Sequence, residues 1–330
     1  MNRFEVITPA DLASASRLLA QDGHVAFAGG VDVVDLMKQG IVSPTALVNL
    51  KGLKELGGIE VRPSGELRLG ATAKLSEVAE HPAIRARFTA IAEAASETAT
   101  PQIRNLATVG GNLLQRPRCW YFRNPDVNCL KKSGDKCYAF GGLNRYHAIL
   151  GGDPAFIVHP SNLAPALIAM RASATIVGPA GEHTIELEKF FTLPTVDPKR
   201  ENSLKPGEII TEVIVPAPSA SVSSHYLEAR EKQSFDWPLV SVAIALDRAP
   251  GEKTIRDARV VMGAVAPVPW RSHEAEAALK GGPLDEPRAR AAAKAALKGA
   301  QPMTDNAYKV VMAKVIVRRA IMSAAGLEAA

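Results

Sequence analysis

The chain has 330 residues, 47% of them hydrophobic and 5% aromatic, with a formal net charge of +5. That length can bury large cores and supports two or three domains. So mild a charge excludes the dense basic stripe of a nucleic-acid-binding protein. Met1 to Gln21 carries Glu5 and Asp11 and has no apolar stretch ahead of a cleavage site, so it does not read as a signal peptide. The most apolar run, Leu163 to Val177, is interrupted by Arg171 and is too short for a membrane span. The expectation is a cytoplasmic protein with no membrane span and no nucleic-acid partner.

The first fifty residues read as a small α/β unit. Phe4 to Ile7 is a short strand, and Thr8-Pro9 offers an N-cap and a first-turn proline. Leu12, Ala15, Leu18 and Leu19 form a helical stripe. A strand at His24 to Ala28 turns at Gly29-Gly30 into a helix over Val31 to Lys38, and Ala46 to Asn49 is a third strand. A second unit starts with a hairpin, Ile59 to Arg62 and Glu66 to Gly70, around Pro63-Ser64-Gly65. Helices are expected at 75–80 and 84–97, then a glycine turn at 110–111 and a window holding every cysteine. A helix at 161–170, a hairpin at 175–177 and 184–187, a loop at 193–206 and a strand at 209–215 complete this unit. Pro216 to Ser224 reads as a linker. Strands at 239–246 and 258–265 and helices at 272–279, 286–297 and 306–324 then form an α+β domain.

Two diglycines carry the functional signal: Ala28-Gly29-Gly30-Val31-Asp32 and Thr108-Val109-Gly110-Gly111-Asn112. Glycine permits a tight turn and lets a ligand approach the main chain, and successive free N–H groups at such turns make an anion cradle. Two cradles in the first 120 residues suggest a diphosphate held between two subdomains, and we read them as an FAD site. The amides of Gly29, Gly30, Val31 and Asp32 would bind one phosphate. Those of Gly110 and Gly111, with the Thr108 hydroxyl and the Asn112 amide, would complete the shell. No Gly-x-Gly-x-x-Gly occurs here, so the Rossmann fingerprint is absent.

Cys119, Cys129 and Cys137 fall within 19 residues, inside a window from Gln115 to His147 with seven Lys or Arg against Asp126 and Asp135. An odd count rules out a closed disulfide set, and the clustering points to a metal or cluster site. Three readings stand side by side. One is a [4Fe–4S] cluster on three thiolates plus a fourth ligand such as His147, Asp153, water or a partner chain, although four cysteines are the rule. Another is a Cys₃His zinc site using His147 or His159, although the C-x₉-C-x₇-C spacing lacks the tight pairs usual for zinc. The last is a decayed site whose loop survives as a docking surface.

Over nearly its whole length the chain resembles the FAD-binding (medium) subunits of the molybdenum hydroxylases, the xanthine, carbon monoxide and aldehyde dehydrogenase family. The motif from Ala28 to Asp32 looks like the family's first flavin motif, and Arg104 to Asn112 like its second. His159-Pro160-Ser161-Asn162-Leu163 resembles a third, where the family usually has Asp in place of Asn162. Tyr226 to Arg230 and Ser241-Val242-Ala243 resemble the opening of the C-terminal flavoprotein domain. The cysteine window is similar to the aldehyde oxidoreductase branch, whose inserted loop carries an extra [4Fe–4S] cluster; the implied fourth cysteine falls where Ala155 stands.

The resemblance implies an α+β fold. A two-subdomain FAD-binding (PCMH-type) module spans 1–218, divided near 52 and with an insertion at about 115–150, and a C-terminal α/β flavoprotein domain spans 219–330. It implies an electron-transfer subunit of a heterotrimer, whose partners are a large molybdopterin-binding subunit and a small subunit with two [2Fe–2S] clusters. Electrons would pass from iron–sulfur clusters to an external acceptor. Ser161 and Asn162 would meet ribityl or ribose hydroxyls, in competition with plain helix capping. Arg230 and Lys232 would lie near the isoalloxazine ring, against the alternative of a solvated strand edge. Trp120, Tyr121 and Trp237 read as packing or docking residues. The rival functions are a free-standing FAD oxidase and a non-catalytic assembly subunit. Export to the periplasm on a partner's signal is the alternative to a cytoplasmic location.

Overall fold

A computed structural model describes residues 1–232, 235–248, 251–252 and 254–327. Three sheets follow one another along the chain. The first is parallel, with order β1-β3-β2: β1 is Glu5–Ile7, β2 is His24–Phe27 and β3 is Ala46–Asn49. Helix α1 (Leu12–Leu19) enters through Asp11, whose carboxylate accepts the Ser14 amide at 2.7 Å; the cap is therefore Asp11 and not Thr8. Helix α2 (Val33–Lys38) follows the first diglycine turn.

The second sheet is antiparallel, and helices interrupt its strands. Strands β4 (Ile59–Val61) and β5 (Leu67–Gly70) form the expected hairpin. Helices α3 (Leu75–Glu80), α4 (Pro82–Arg87) and α5 (Thr89–Glu97) come next. The single helix expected over 84–97 breaks at Phe88, where φ −127° and ψ 47° leave the helical region and sink the ring completely. Short helices α6 (Pro101–Arg104), α7 (Val109–Leu113) and α8 (Trp120–Arg123) carry the chain through the second motif into the cysteine window. Helix α9 (Leu163–Ala169), strands β6 (Ser173–Gly178) and β7 (Gly181–Glu186), helix α10 (Leu187–Phe190) and strand β8 (Ile209–Val215) complete the order β4-β5-β8-β6-β7.

The third sheet has order β12-β11-β10-β9, from β9 (Val222–Arg230), β10 (Pro238–Asp247), β11 (Asp257–Gly263) and β12 (Trp270–Arg271). Strand β9 begins inside the segment read as a linker, because Val222 to Asp247 pair in register along β10. Helices α11 (His273–Leu279), α12 (Glu286–Ala295) and α13 (Tyr308–Ala324) cover one face. Alternate residues of a strand face opposite sides, and β10 uses both. Val240, Val242, Ile244 and Leu246 join the core under these helices, while Ala243 and Ala245 join the core of the second sheet with α5 and α9. A strand buried on both faces reads as the continuous apolar run seen in the sequence. Among the described residues no helix is long and apolar enough to cross a membrane.

Candidate functional site

The first diglycine turn meets the second motif. A Cβ at Gly29 would stand 2.2 Å from the Leu106 carbonyl oxygen and 3.2 Å from the Ala107 Cα, so the first turn lies pressed on the backbone of the second motif. Gly30 has φ +73°, a left-handed conformation, and a Cβ there would meet the Phe27 ring at 2.7 Å. Among the described residues, the amides of Gly29, Gly30, Val31 and Asp32 have no hydrogen-bond acceptor. Four successive N–H groups without a partner suit an anion.

The second turn is different. The Gly110 amide donates to the Ala71 carbonyl at 2.8 Å and the Gly111 amide to Thr108 Oγ1 at 3.2 Å. Thr108 is the cap of α7, so its hydroxyl oxygen and both glycine amides are engaged within the fold. The buried Asn112 accepts the Ser161 hydroxyl at 2.5 Å, and Ser161 Oγ in turn accepts the Ala164 amide at 2.9 Å, which caps α9. Ser161 thus links the second motif to the third and caps a helix as well.

Asn162 Nδ2 donates to Glu228 Oε2 at 2.7 Å. Glu228 also accepts the Tyr226 hydroxyl at 2.7 Å and pairs with the Arg230 guanidinium. Burial pushes the Glu228 carboxyl above its ordinary range. Arg230 further pairs with Glu97 at the end of α5, so its guanidinium ties β9 to that helix. The sequence assigned a ring role to Arg230 and none to Glu228, which meets Asn162 across 66 residues as well as Tyr226 and Arg230 beside it.

A cavity of about 950 Å³, counting its open mouth, lies between the third motif, the cysteine window and the third sheet. Trp120, Tyr146, His159, Trp237 and Lys232 line it. Arg118 forms one wall, with its guanidinium 4.7 Å from the Trp237 ring centre and 2.9 Å from Asp32 Oδ1. The cavity wall is thereby tied to the first turn. His159 lies fully inside the protein, and burial holds its imidazole down to about 3. Its Nε2 has no hydrogen-bond partner.

Asp32 is the anchor of the cysteine window. Its carboxylate accepts the Arg116 amide at 2.8 Å and pairs with Arg118 and with Arg123 at 2.7 Å. Glu201 holds Arg116 and Lys131, and Glu231 holds Arg145. Five of the seven basic residues are thus neutralised by acids far away in sequence. At the end of the window the buried Lys309 donates to the carbonyls of Ala264 and His147, and burial lowers its ammonium to about 7.

The three cysteines line one small pocket together with Ala155 and Ile157. Cys119 also borders the larger cavity, where His147 Nε2 lies 3.2 Å from its sulfur. Burial raises the Cys119 thiol to about 12. Among the described residues no three His, Cys, Asp or Glu side chains are placed to hold a single metal ion, which speaks against the Cys₃His zinc site. A four-cysteine [4Fe–4S] site lacks its fourth thiol in this chain, and Ala155 stands among the lining of the pocket.

The family model for the FAD-binding domain in molybdopterin dehydrogenase matches residues 2–218, and that for the CO dehydrogenase flavoprotein C-terminal domain matches 224–324. The chain belongs to this family of molybdopterin dehydrogenase FAD-binding subunits. It is 37% identical to the aldehyde oxidoreductase FAD-binding subunit PaoB of Escherichia coli K12, over 94% of this chain and 93% of that one. It is 28% identical to the carbon monoxide dehydrogenase medium chain of Hydrogenophaga pseudoflava, over 98% and 97%. The solved carbon monoxide dehydrogenase of that organism, lacking the Mo-pyranopterin moiety, superposes with a TM-score of 0.78 at 26% identity, over 98% of each chain. FAD is therefore the cofactor of this family member, and the free amides beside Gly30 and the unpartnered His159 nitrogen fit a bound nucleotide.

Proposed function

We propose that this chain is the flavin subunit of an aldehyde-oxidising molybdenum hydroxylase. It would act with a large molybdopterin-binding subunit and a small subunit carrying two [2Fe–2S] clusters, and the assembly would reside in the cytoplasm. FAD, when bound, supplies the transfer of electrons to an external acceptor. The residues of this chain hold and orient it. The amides of Gly29, Gly30, Val31 and Asp32 bind the diphosphate, and the Asn112 side chain approaches it from the second motif. Ser161 and Asn162 hold the third motif against Asn112 and Glu228. The cavity bordered by Arg118, Trp237 and Lys232 receives the ring, and Lys232 supplies the nearby positive charge. Arg230 acts through Glu228 and not on the ring. The division into modules at 218/219 belongs to the same reading.

The observation that carries this reading is the run of four unpartnered amides in a turn closed by the backbone of the second motif. The choice of aldehyde rests on the 37% identity to PaoB. Co-expression with the neighbouring large and small subunits and anaerobic addition of an aromatic aldehyde tests it. The flavin absorption should bleach. Bleaching by xanthine or carbon monoxide but not by aldehydes would overturn the substrate class.

A further inference from the structure

Among the described residues three cations are buried, and one of them lacks an acid. Lys131 pairs with Glu201 and Arg259 with Glu188. Lys309 is 1% exposed, and its ammonium meets carbonyl oxygens instead: Ala264 at 2.5 Å, His147 at 3.2 Å and Tyr146 at 3.5 Å. Those bonds occupy its three donors and leave the charge without a counter-ion. Burial draws the ammonium down, and among the described residues no acid draws it back up. Taking an ion out of water without an opposite charge is costly. A negative group that binds beside Lys309 would relieve that cost.

The place for such a group is the large cavity. Tyr146, His147 and Ala264, whose carbonyls Lys309 gathers, all line it, so the ammonium stands behind that wall. Ala264 has φ +59°, a left-handed conformation unfavourable for alanine, and its carbonyl is the nearest of the three. The charge is felt at the wall: burial first and Lys309 second lower the His147 imidazole to about 4. Of the cations that line the cavity, Arg118 is paired with Asp32, and Lys232 is exposed, where salt screens it. We propose that Lys309 supplies the buried positive field of this cavity and thereby favours negative charge on the flavin ring bound there. It acts across the wall and does not line the cavity itself. This rests on the ring site assigned above. Two-electron reduction leaves the ring richer in negative charge, and a fixed cation nearby stabilises that form more than the oxidised one. No bond changes at Lys309. Its effect is to raise the flavin potential by tightening the hold on reduced FAD relative to oxidised FAD.

The test titrates the flavin-free full chain with oxidised FAD and, anaerobically, with dithionite-reduced FAD. It is run at about pH 6, below the value that burial sets for the ammonium. The potential of the FAD-bound chain is recorded in a spectroelectrochemical cell. Lys309→Gln keeps side-chain donors for the carbonyls and removes the charge, whereas Lys309→Met removes both. In each, the ratio of reduced to oxidised affinity should fall about tenfold, the scale of one charge at about 10 Å in a partly polar interior. The two-electron potential should fall by about 30 mV with it. Lys314→Met removes an exposed charge from the same helix and should move neither. Equal losses of oxidised and reduced affinity, with the potential unmoved, would reduce Lys309 to a builder of the wall and overturn the proposal. A wild-type potential in Lys309→Gln beside a lowered one in Lys309→Met would overturn it too. Either variant decides alone if the other does not fold, since both remove the charge. A wild-type chain that takes up no FAD would overturn the ring site as well, whereas FAD binding with an unmoved potential overturns the role of Lys309 alone.

Discussion

Gly29→Ala isolates the close contact between the two turns. Gly29 is not in the left-handed region, so alanine there adds no backbone strain. The methyl group would, however, stand 2.2 Å from the Leu106 oxygen, 2.9 Å from the Leu106 carbonyl carbon and 3.2 Å from the Ala107 Cα, all of them main-chain atoms. No side chain can rotate away. Ordinary contact starts near 3.4 Å, so the turn must withdraw by more than 1 Å. Overpacking of this kind costs about 1–3 kcal/mol, and a contact with backbone belongs at the upper end. At about 1.4 kcal/mol per decade, that weakens FAD binding about a hundredfold if the displaced amides carry the cost. The assay is a fluorescence titration of flavin-free protein with FAD, beside thermal unfolding of the flavin-free form. Gly40→Ala is the control: φ is +70° but nothing lies within 4 Å of the new methyl, so it should lower stability by about 1 kcal/mol and leave FAD affinity alone. Unchanged FAD affinity in Gly29→Ala would refute the argument that the first turn, seated on the second motif, binds the nucleotide.

Asn162→Asp should lower stability. It replaces the donor to Glu228 with a second carboxylate 2.7 Å away, so unfolding in urea should show a loss of about 1–3 kcal/mol at pH 7 that narrows as acid protonates the pair. Asp32→Asn removes the acceptor of two guanidinium groups and one amide; a loss of about 1–3 kcal/mol and faster proteolysis within 115–147 are expected, read by thermal unfolding and timed digestion. His159 has a folded-state value of about 3 against an ordinary 6.5, because burial opposes its charge. The unfolded chain binds the extra proton, so this residue's contribution is present above pH 6.5 and is lost as pH falls toward 3, at up to about 1.4 kcal/mol per pH unit. His159→Gln should flatten that slope in urea titrations between pH 7 and pH 5.

Local patterns in the sequence carried most of the elements. The strands of the first sheet, the hairpin at 59–70 and the terminal helices announced themselves through period and turn residues, and their observed bounds differ by at most two residues. The failures share a cause, which is that distant contacts override local preference. Phe88 breaks a helical run because its ring is drawn into the core. Pro216 to Ser224 looks like a linker, yet Val222 and its neighbours pair with β10. In the site, the first diglycine was legible because four free amides are a property of one short turn. The occupation of the Gly110 and Gly111 amides by Ala71 and Thr108 was less so, as Ala71 lies some forty residues away. The Asn162–Glu228 bond and the three-way role of Asp32 join residues 66 to 91 apart, which local pattern does not show. The charge of the basic window is likewise met by Asp32, Glu201 and Glu231 from other segments.

The sharpest measurement compares FAD with FMN on flavin-free protein. In the proposed site, main-chain amides of the first turn would hold a diphosphate bridge that FMN lacks. FAD should bind at least about a hundredfold more tightly, a gap of about 2.7 kcal/mol. Equal affinity for FMN would contradict the account.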